Sequence, residues 1–154
     1  MGLEDLKIYT KAMKLGEQVW EIVMTWDYFQ KDTVGKQWVK SSDSIAANIS
    51  EGYGRFHYKD SNKFNYIARG SLSETKTWLS KAYNRKLITD IQFETLLTEI
   101  DSLGKMLNSY IKSTGKKPTS DELKPGNKKV ASQTEAGTMN RIGDTMSRHC
   151  TTNG

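Results

Sequence analysis

The chain predicts an all-α fold, an antiparallel up-and-down four-helix bundle, on three observations. Its 154 residues contain only two prolines, Pro118 and Pro125, so everything before them is free to be helical. Upstream lie four stretches in which apolar residues recur at steps of three and four. The polar segments between them are short, and short turns join antiparallel neighbours.

The first helix runs from Leu6 to about Tyr28. Two apolar series, Leu6, Tyr9, Met13, Trp20, Val23 and Ile8, Ala12, Leu15, Val19, Ile22, Trp26, lie side by side on it as one broad face. Gln30-Lys31-Asp32-Thr33 reads as a connection, with Thr33 the N-cap of a second helix over Val34 to Tyr53 that turns Val34, Trp38, Ile45 and Ile49 inward. Gly52, Gly54 and a polar run end that helix, and Asp60 or Ser61 caps a third one bearing Phe64, Ile67, Ala68, Leu72, Thr75, Trp78, Leu79, Ala82 and Tyr83. Arg85 and Lys86 fall in its last turn, where positive charge suits the helix dipole. Thr89-Asp90-Ile91-Gln92 is a capping box that opens a fourth helix, with Phe93, Leu96, Leu97, Ile100, Leu103, Leu107, Tyr110 and Ile111 on one face and Gly115 as its stop. Beyond Gly115 the periodicity disappears. The expected division is a bundle over 1–115 and a flexible tail over 116–154, with room for one short helix around Met139 to Met146.

Two runs stand out inside the helices. Ser44-Ile45-Ala46-Ala47-Asn48-Ile49-Ser50-Glu51-Gly52-Tyr53-Gly54-Arg55 and Ile67-Ala68-Arg69-Gly70-Ser71-Leu72-Ser73-Glu74 put small residues where large apolar ones are usual. A mid-helix Gly costs about 1 kcal/mol against Ala, so Gly70 implies a backbone contact that a methyl group would block. The pair therefore predicts one close contact between the second and third helices, and Gly70→Leu is expected to overpack it at a cost of about 1–3 kcal/mol.

Composition bounds the function. The net charge is +5, from 23 basic and 18 acidic residues, which permits a polyanionic partner without demanding one. No window approaches the run of about 18 apolar residues that a membrane span needs, and the first residues have neither the basic start nor the apolar centre of a signal peptide. One cysteine, Cys150, excludes an internal disulfide framework and agrees with a reducing compartment, so the expected location is the cytoplasm.

Candidate chemistry is sparse. Glu51 and Glu74 could form a catalytic carboxylate pair; the favoured reading is structural, with the two acids accepting hydrogen bonds from Arg55, Arg69 or a helix end. Asn48 fits as a buried amide that sets register. A di-iron site would need Glu-x-x-His on two helices, and neither His57 nor His149 follows a Glu at that spacing. Structural zinc fails for lack of cysteines, and no Arg precedes either His at the spacing of an Arg-x4-6-His ribonuclease motif. Gly52-Tyr53-Gly54 ends a helix and so is no phosphate cradle. The cations Lys36, Lys40, Arg55, Lys59, Lys63, Arg69, Lys81, Arg85 and Lys86 concentrate in the second and third helices and their connections, where they are either a phosphate-binding face or ordinary solvated surface. Tyr53, Phe56, His57 and Tyr58 could stack on unpaired bases or cover the bundle end. Of Trp20, Trp26, Trp38 and Trp78, most should be core, with one or two left to anchor a subunit contact.

The ordered set Gln37, Ser44-Ile45-x-x-Asn48-Ile49-x-Glu51-Gly52-x-Gly54-Arg55, then Phe64, Ile67-Ala68-x-Gly70-Ser71-Leu72-x-Glu74 resembles the four-helix bundle family of 23S ribosomal-RNA intervening-sequence proteins. That family includes proteins similar to the accessory variability determinant of diversity-generating retroelements. The resemblance spans about Leu3 to Lys112 and implies a ring-like homopentamer without a known enzymatic activity; from the residues themselves, no cofactor or metal is expected. For the retroelement branch it also implies a reverse transcriptase and RNA or DNA as partners. Where the family carries a basic pair after the Gln, this chain has Val39-Lys40, one charge instead of two.

Together these readings predict a non-enzymatic, self-associating scaffold. Its expected nucleic-acid contacts are Lys40, Arg55, Lys59, Lys63, Arg69, Lys81, Arg85 and Lys86, and its expected structural motif is Ser44, Asn48, Glu51, Gly52, Gly54, Gly70, Ser71 and Glu74. An RNA-processing ribonuclease and a purely structural oligomer are the alternatives.

Overall fold

The computed structural model describes residues 1–55 and 57–116; the expectations placed on Phe56, on the side chain of Tyr58 and on the tail, including its short helix, lie outside them. A 3-10 turn, Leu3–Asp5, leads into α1 (Lys7–Val23). Then follow α2 (Tyr28–Gln30), a π-helical turn (Lys31–Gly35), α3 (Lys36–Tyr53), α4 (Tyr58–Asn84) and α5 (Asp90–Lys116). Among the described residues there is no strand. The four long helices pack in chain order, α1 on α3, α3 on α4, α4 on α5, and α5 back on α1.

The core is the apolar stripe of each helix turned inward. Ile8, Ala12, Leu15, Val19 and Val23 come from α1, and Trp38, Ile45 and Ile49 from α3. Ala68, Leu72, Leu79 and Ala82 come from α4, and Leu96, Ile100, Leu103, Leu107 and Ile111 from α5. Trp38 and Trp26 are buried and stacked with centroids 5.9 Å apart, while Trp78 is half-buried and Trp20 largely exposed. The Trp26 indole N–H donates to the Leu87 carbonyl at 3.1 Å, so the α1–α3 and α4–α5 connections share one end of the bundle. Asn62 Nδ2, donating to the Ile111 carbonyl at 3.2 Å, ties α4 to α5 near the other end.

Several local expectations shift. The cap before α3 is Asp27: its carboxylate accepts from Gln30 N at 2.8 Å while Gln30 Oε1 accepts from Asp27 N at 3.3 Å. Thr33 instead donates to the Phe29 carbonyl at 2.7 Å inside a helix that continues through the π turn. That extra residue seats Gly35 where a β-carbon would lie 2.7 Å from Val23 Cγ1, so the chain stays helical and swells instead of breaking. Helix α4 begins at Tyr58, with His57 at the N-cap position and Asp60 in the first turn, so neither Asp60 nor Ser61 is the cap. The Thr89–Gln92 capping box forms at both of its hydrogen bonds, 2.9 and 3.1 Å. Gly115 lies within α5 and does not stop it.

The largest correction concerns Gly70. Among the described residues a β-carbon there would meet nothing within 4 Å, and Ile67 beside it is exposed, so Gly70 faces outward and not onto α3, while Ala68 and Leu72 of the same run turn inward. With open space around it, Gly70→Ala is expected to stabilise the protomer by about 1 kcal/mol through helix propensity alone, measured by urea unfolding in dilute solution.

Candidate nucleic-acid interface

The close contact between α3 and α4 exists, but Gly52 makes it. A β-carbon at Gly52 would stand 2.8 Å from the Ser61 carbonyl oxygen and 3.2 Å from Phe64 Cβ, so the two backbones approach where the chain turns from one helix to the next. Farther along, small side chains keep the helices near each other. The Ser71 and Ser44 hydroxyls are hydrogen-bonded at 3.1 Å, and buried Thr75 and Ser41 form a second pair at 3.1 Å. These hydroxyls satisfy one another inside the seam, which is what buried polar groups require.

The other motif residues do not cross the seam. Asn48 Nδ2 donates to the Ser44 carbonyl at 2.8 Å and to Ser44 Oγ at 3.0 Å, both on its own helix. Glu51 pairs with Arg55 one turn later, and Glu74 accepts from Trp78 Nε1 at 3.3 Å. Because Ser71 and Thr75 align with Ser44 and Ser41, Glu74 lies about two and a half turns, roughly 14 Å, from Glu51 along the helix pair. The two carboxylates are therefore not a dyad. Gly54 follows α3 as its C-cap residue.

The cations divide into groups. Arg55, Lys59 and Lys63 sit at the turn between α3 and α4, with the Arg55 guanidinium 4.7 Å from the Phe64 ring centroid. Lys81, Arg85 and Lys86 sit at the opposite end, about 40 Å away along the 27 residues of α4. Lys81 lies over the Trp78 ring, Arg85 is the C-cap, and Lys86 takes a left-handed φ of 59° as the chain leaves the helix. Arg69, midway, stacks on Tyr66 at 4.8 Å and donates to Asn108 Oδ1 at 3.3 Å, which turns it toward α5. Lys40 is exposed on α3. One protomer thus offers two basic clusters and isolated charges between them.

The charge itself is strongly polarised. Residues 58–86 carry seven basic and two acidic side chains, a surplus of five that equals the net charge of the whole chain. The rest of residues 1–114 carries nine basic and twelve acidic, a deficit of three. This separation was countable in the sequence, but only once the limits of α4 were known.

Two features gave no clear sequence signal. A groove of about 350 Å³ between α1 and α3 is lined by Tyr9, Ala12, Met13, Gly16, Glu17, Asp43, Ala46, Ala47 and Ser50. Burial, and then the nearby Glu17 charge, raise the Asp43 carboxyl above the ordinary carboxylate range. Its ionised form is thus disfavoured in the fold, a cost that fades as pH falls through the raised value. The second feature is Asn65, fully buried in α4 with its Nδ2 donating to Asn62 Oδ1 at 3.2 Å. Among the described residues no three His, Cys, Asp or Glu side chains converge as metal ligands, and no helix is long and apolar enough to cross a membrane.

This arrangement, four long helices closed around one apolar core with the basic surplus on α4, defines a four-helix-bundle protein. A crystal structure of a protein with unknown function from the S23 ribosomal protein family of Bacteroides thetaiotaomicron VPI-5482 shares the fold, with a TM-score of 0.62 and 24% identity over 68% of this chain and 98% of that one. Residues 4–109 match the family model described as 23S rRNA-intervening sequence protein, and the chain belongs to that family. No curated protein matches it.

Proposed function

We propose that the protein is a non-catalytic, self-associating scaffold that binds RNA through the C-terminal half of α4. The observation that carries this is the charge surplus of residues 58–86 in a chain whose family name refers to a ribosomal-RNA insertion. Lys81, Arg85 and Lys86 cluster at one helix end beside half-buried Trp78, an arrangement suited to phosphates with an adjacent base. A ring of copies, the homopentamer that the resemblance implies, would repeat this modest cluster and convert weak single contacts into avidity. A non-enzymatic role fits the separation of Glu51 from Glu74. A reverse transcriptase as protein partner extends the reading and would be tested by co-purification.

Fluorescence anisotropy with a labelled single-stranded RNA tests it. The full chain is expected to bind at low salt and release as salt rises. The triple substitution Lys81→Glu, Arg85→Glu, Lys86→Glu should abolish binding, and neutralising each phosphate-contacting cation should flatten the log–log salt slope by about 0.7. Unchanged binding by the triple variant would remove this surface from the account, and RNA shortened by the pure protein would replace the scaffold with an enzyme.

A further inference from the structure

Two surfaces of the protomer expose apolar side chains that the other described residues leave uncovered, and their charges are opposite. One is the α1–α3 groove. Its floor is Ala12, Gly16 and Ala46; its rim carries Met13, 44% exposed, with Glu17 and Asp43. Trp20, 49% exposed, continues the same edge of α1 two turns beyond Met13. Gly16 lets Asp43 come close, since a β-carbon there would fall 2.8 Å from Asp43 Oδ1. Lys40, exposed one turn before Asp43, is not part of the groove's lining.

The other surface is a stripe on α4: Lys63, Tyr66, Ile67 and Gly70, related by three- and four-residue steps. Tyr66 and Ile67 are 50% and 44% exposed, and no described residue comes within 4 Å of a β-carbon placed at Gly70. Among the described residues of the protomer nothing compensates the helix propensity lost at Gly70. A second helix lying across it would, because only Gly allows the closest backbone approach.

We propose that the α4 stripe of one protomer seats in the α1–α3 groove of a second copy of this chain. Charge complementarity selects that occupant: the helix bearing the basic surplus meets a surface of the net-acidic remainder. The spacing agrees as well. Lys63 precedes Ile67 by one turn and Glu17 follows Met13 by one turn, so antiparallel helices that set Ile67 on Met13 bring Lys63 opposite Glu17 and Asp43. The stripe and the groove are different surfaces, since α4 borders α3 and α5 while the groove lies between α1 and α3. The contact is therefore head to tail, which leaves one stripe and one groove open on every pair and drives growth until a ring closes. It rests on the self-association proposed above, names the contact that makes it, and leaves Lys81, Arg85 and Lys86 free for RNA.

The experiment is sedimentation equilibrium of the full chain and four variants, with circular dichroism melts in parallel. Gly70→Leu should stay folded, because the protomer has room for the side chain, yet weaken assembly by tenfold or more. Asp43→Lys and Lys63→Glu should each weaken it by about tenfold, and the double variant should regain most of the loss, as opposed charges in contact do. A parent that assembles while all the variants assemble equally well would place the contact elsewhere and overturn this inference, leaving self-association intact. Single variants that weaken assembly with no recovery in the double would overturn the pairing of these two surfaces. A parent that is monomeric throughout would overturn self-association and this contact together.

Discussion

Trp38→Ala is expected to destabilise the bundle by about 3–5 kcal/mol, a large share of the roughly 5–15 kcal/mol that a domain of this size possesses. Trp38 is the largest fully buried side chain, and its ring stacks on Trp26, whose indole N–H holds the α4–α5 turn through the Leu87 carbonyl. Removing it leaves a cavity in the core and loosens the Trp26 ring, so loss of packing at one site spreads to both connections at that end. Trp38→Phe should cost far less. The Trp38 Nε1 is buried without a hydrogen-bond partner among the described residues, so phenylalanine loses volume but sheds an unsatisfied donor. Urea unfolding of the three proteins checks this: a Phe variant as unstable as the Ala variant would mean that the indole N–H, and not the packed ring, stabilises the site.

Gly52→Ala is expected to destabilise by about 1–2 kcal/mol, because overpacking of about 1–3 kcal/mol outweighs the gain in helix propensity. The obstacle is the backbone oxygen of Ser61 at 2.8 Å, which no rotamer change can move. Relief requires α3 and α4 to separate at their turn, and that strains the Ser44–Ser71 and Ser41–Thr75 hydroxyl pairs farther along. Gly52→Leu should be worse still and lower the melting temperature by many degrees. The opposite sign expected at Gly70 makes a control within the same chain, since both glycines lie inside helices and differ in what surrounds them. Equal responses at the two positions would refute the assignment of the close contact to Gly52.

The helices were legible because apolar spacing and capping chemistry are local: Thr89 and Gln92 announce α5 from four consecutive residues, and the inward face of α1 follows from its two apolar series. The start of α3 was less legible, since the acid at Asp27 competes with Thr33 as a cap and only Val23 and Trp26, packed against Gly35, favour a helix that runs on through a π turn. The small-residue runs announced that α3 and α4 approach closely but not which glycine meets the other helix. Rotation of α4 decides that: Ala68, Leu72, Thr75 and Leu79 turn inward and carry Gly70 outward. The candidate site was legible as composition only. That Lys59 and Lys86 fall at opposite ends of one helix, and that Glu51 and Glu74 sit more than two turns apart, depends on register between helices.

The central claim is that this chain assembles into a scaffold that holds RNA and does not cut it. Sedimentation velocity of the full chain with a short labelled RNA, followed at the label's wavelength in low salt, tests that most directly. The RNA is expected to travel with a species of several protomers and to return to its free position, at full length, when salt is raised. RNA that sediments alone beside the protein, travels with a single protomer, or comes back shortened would contradict it.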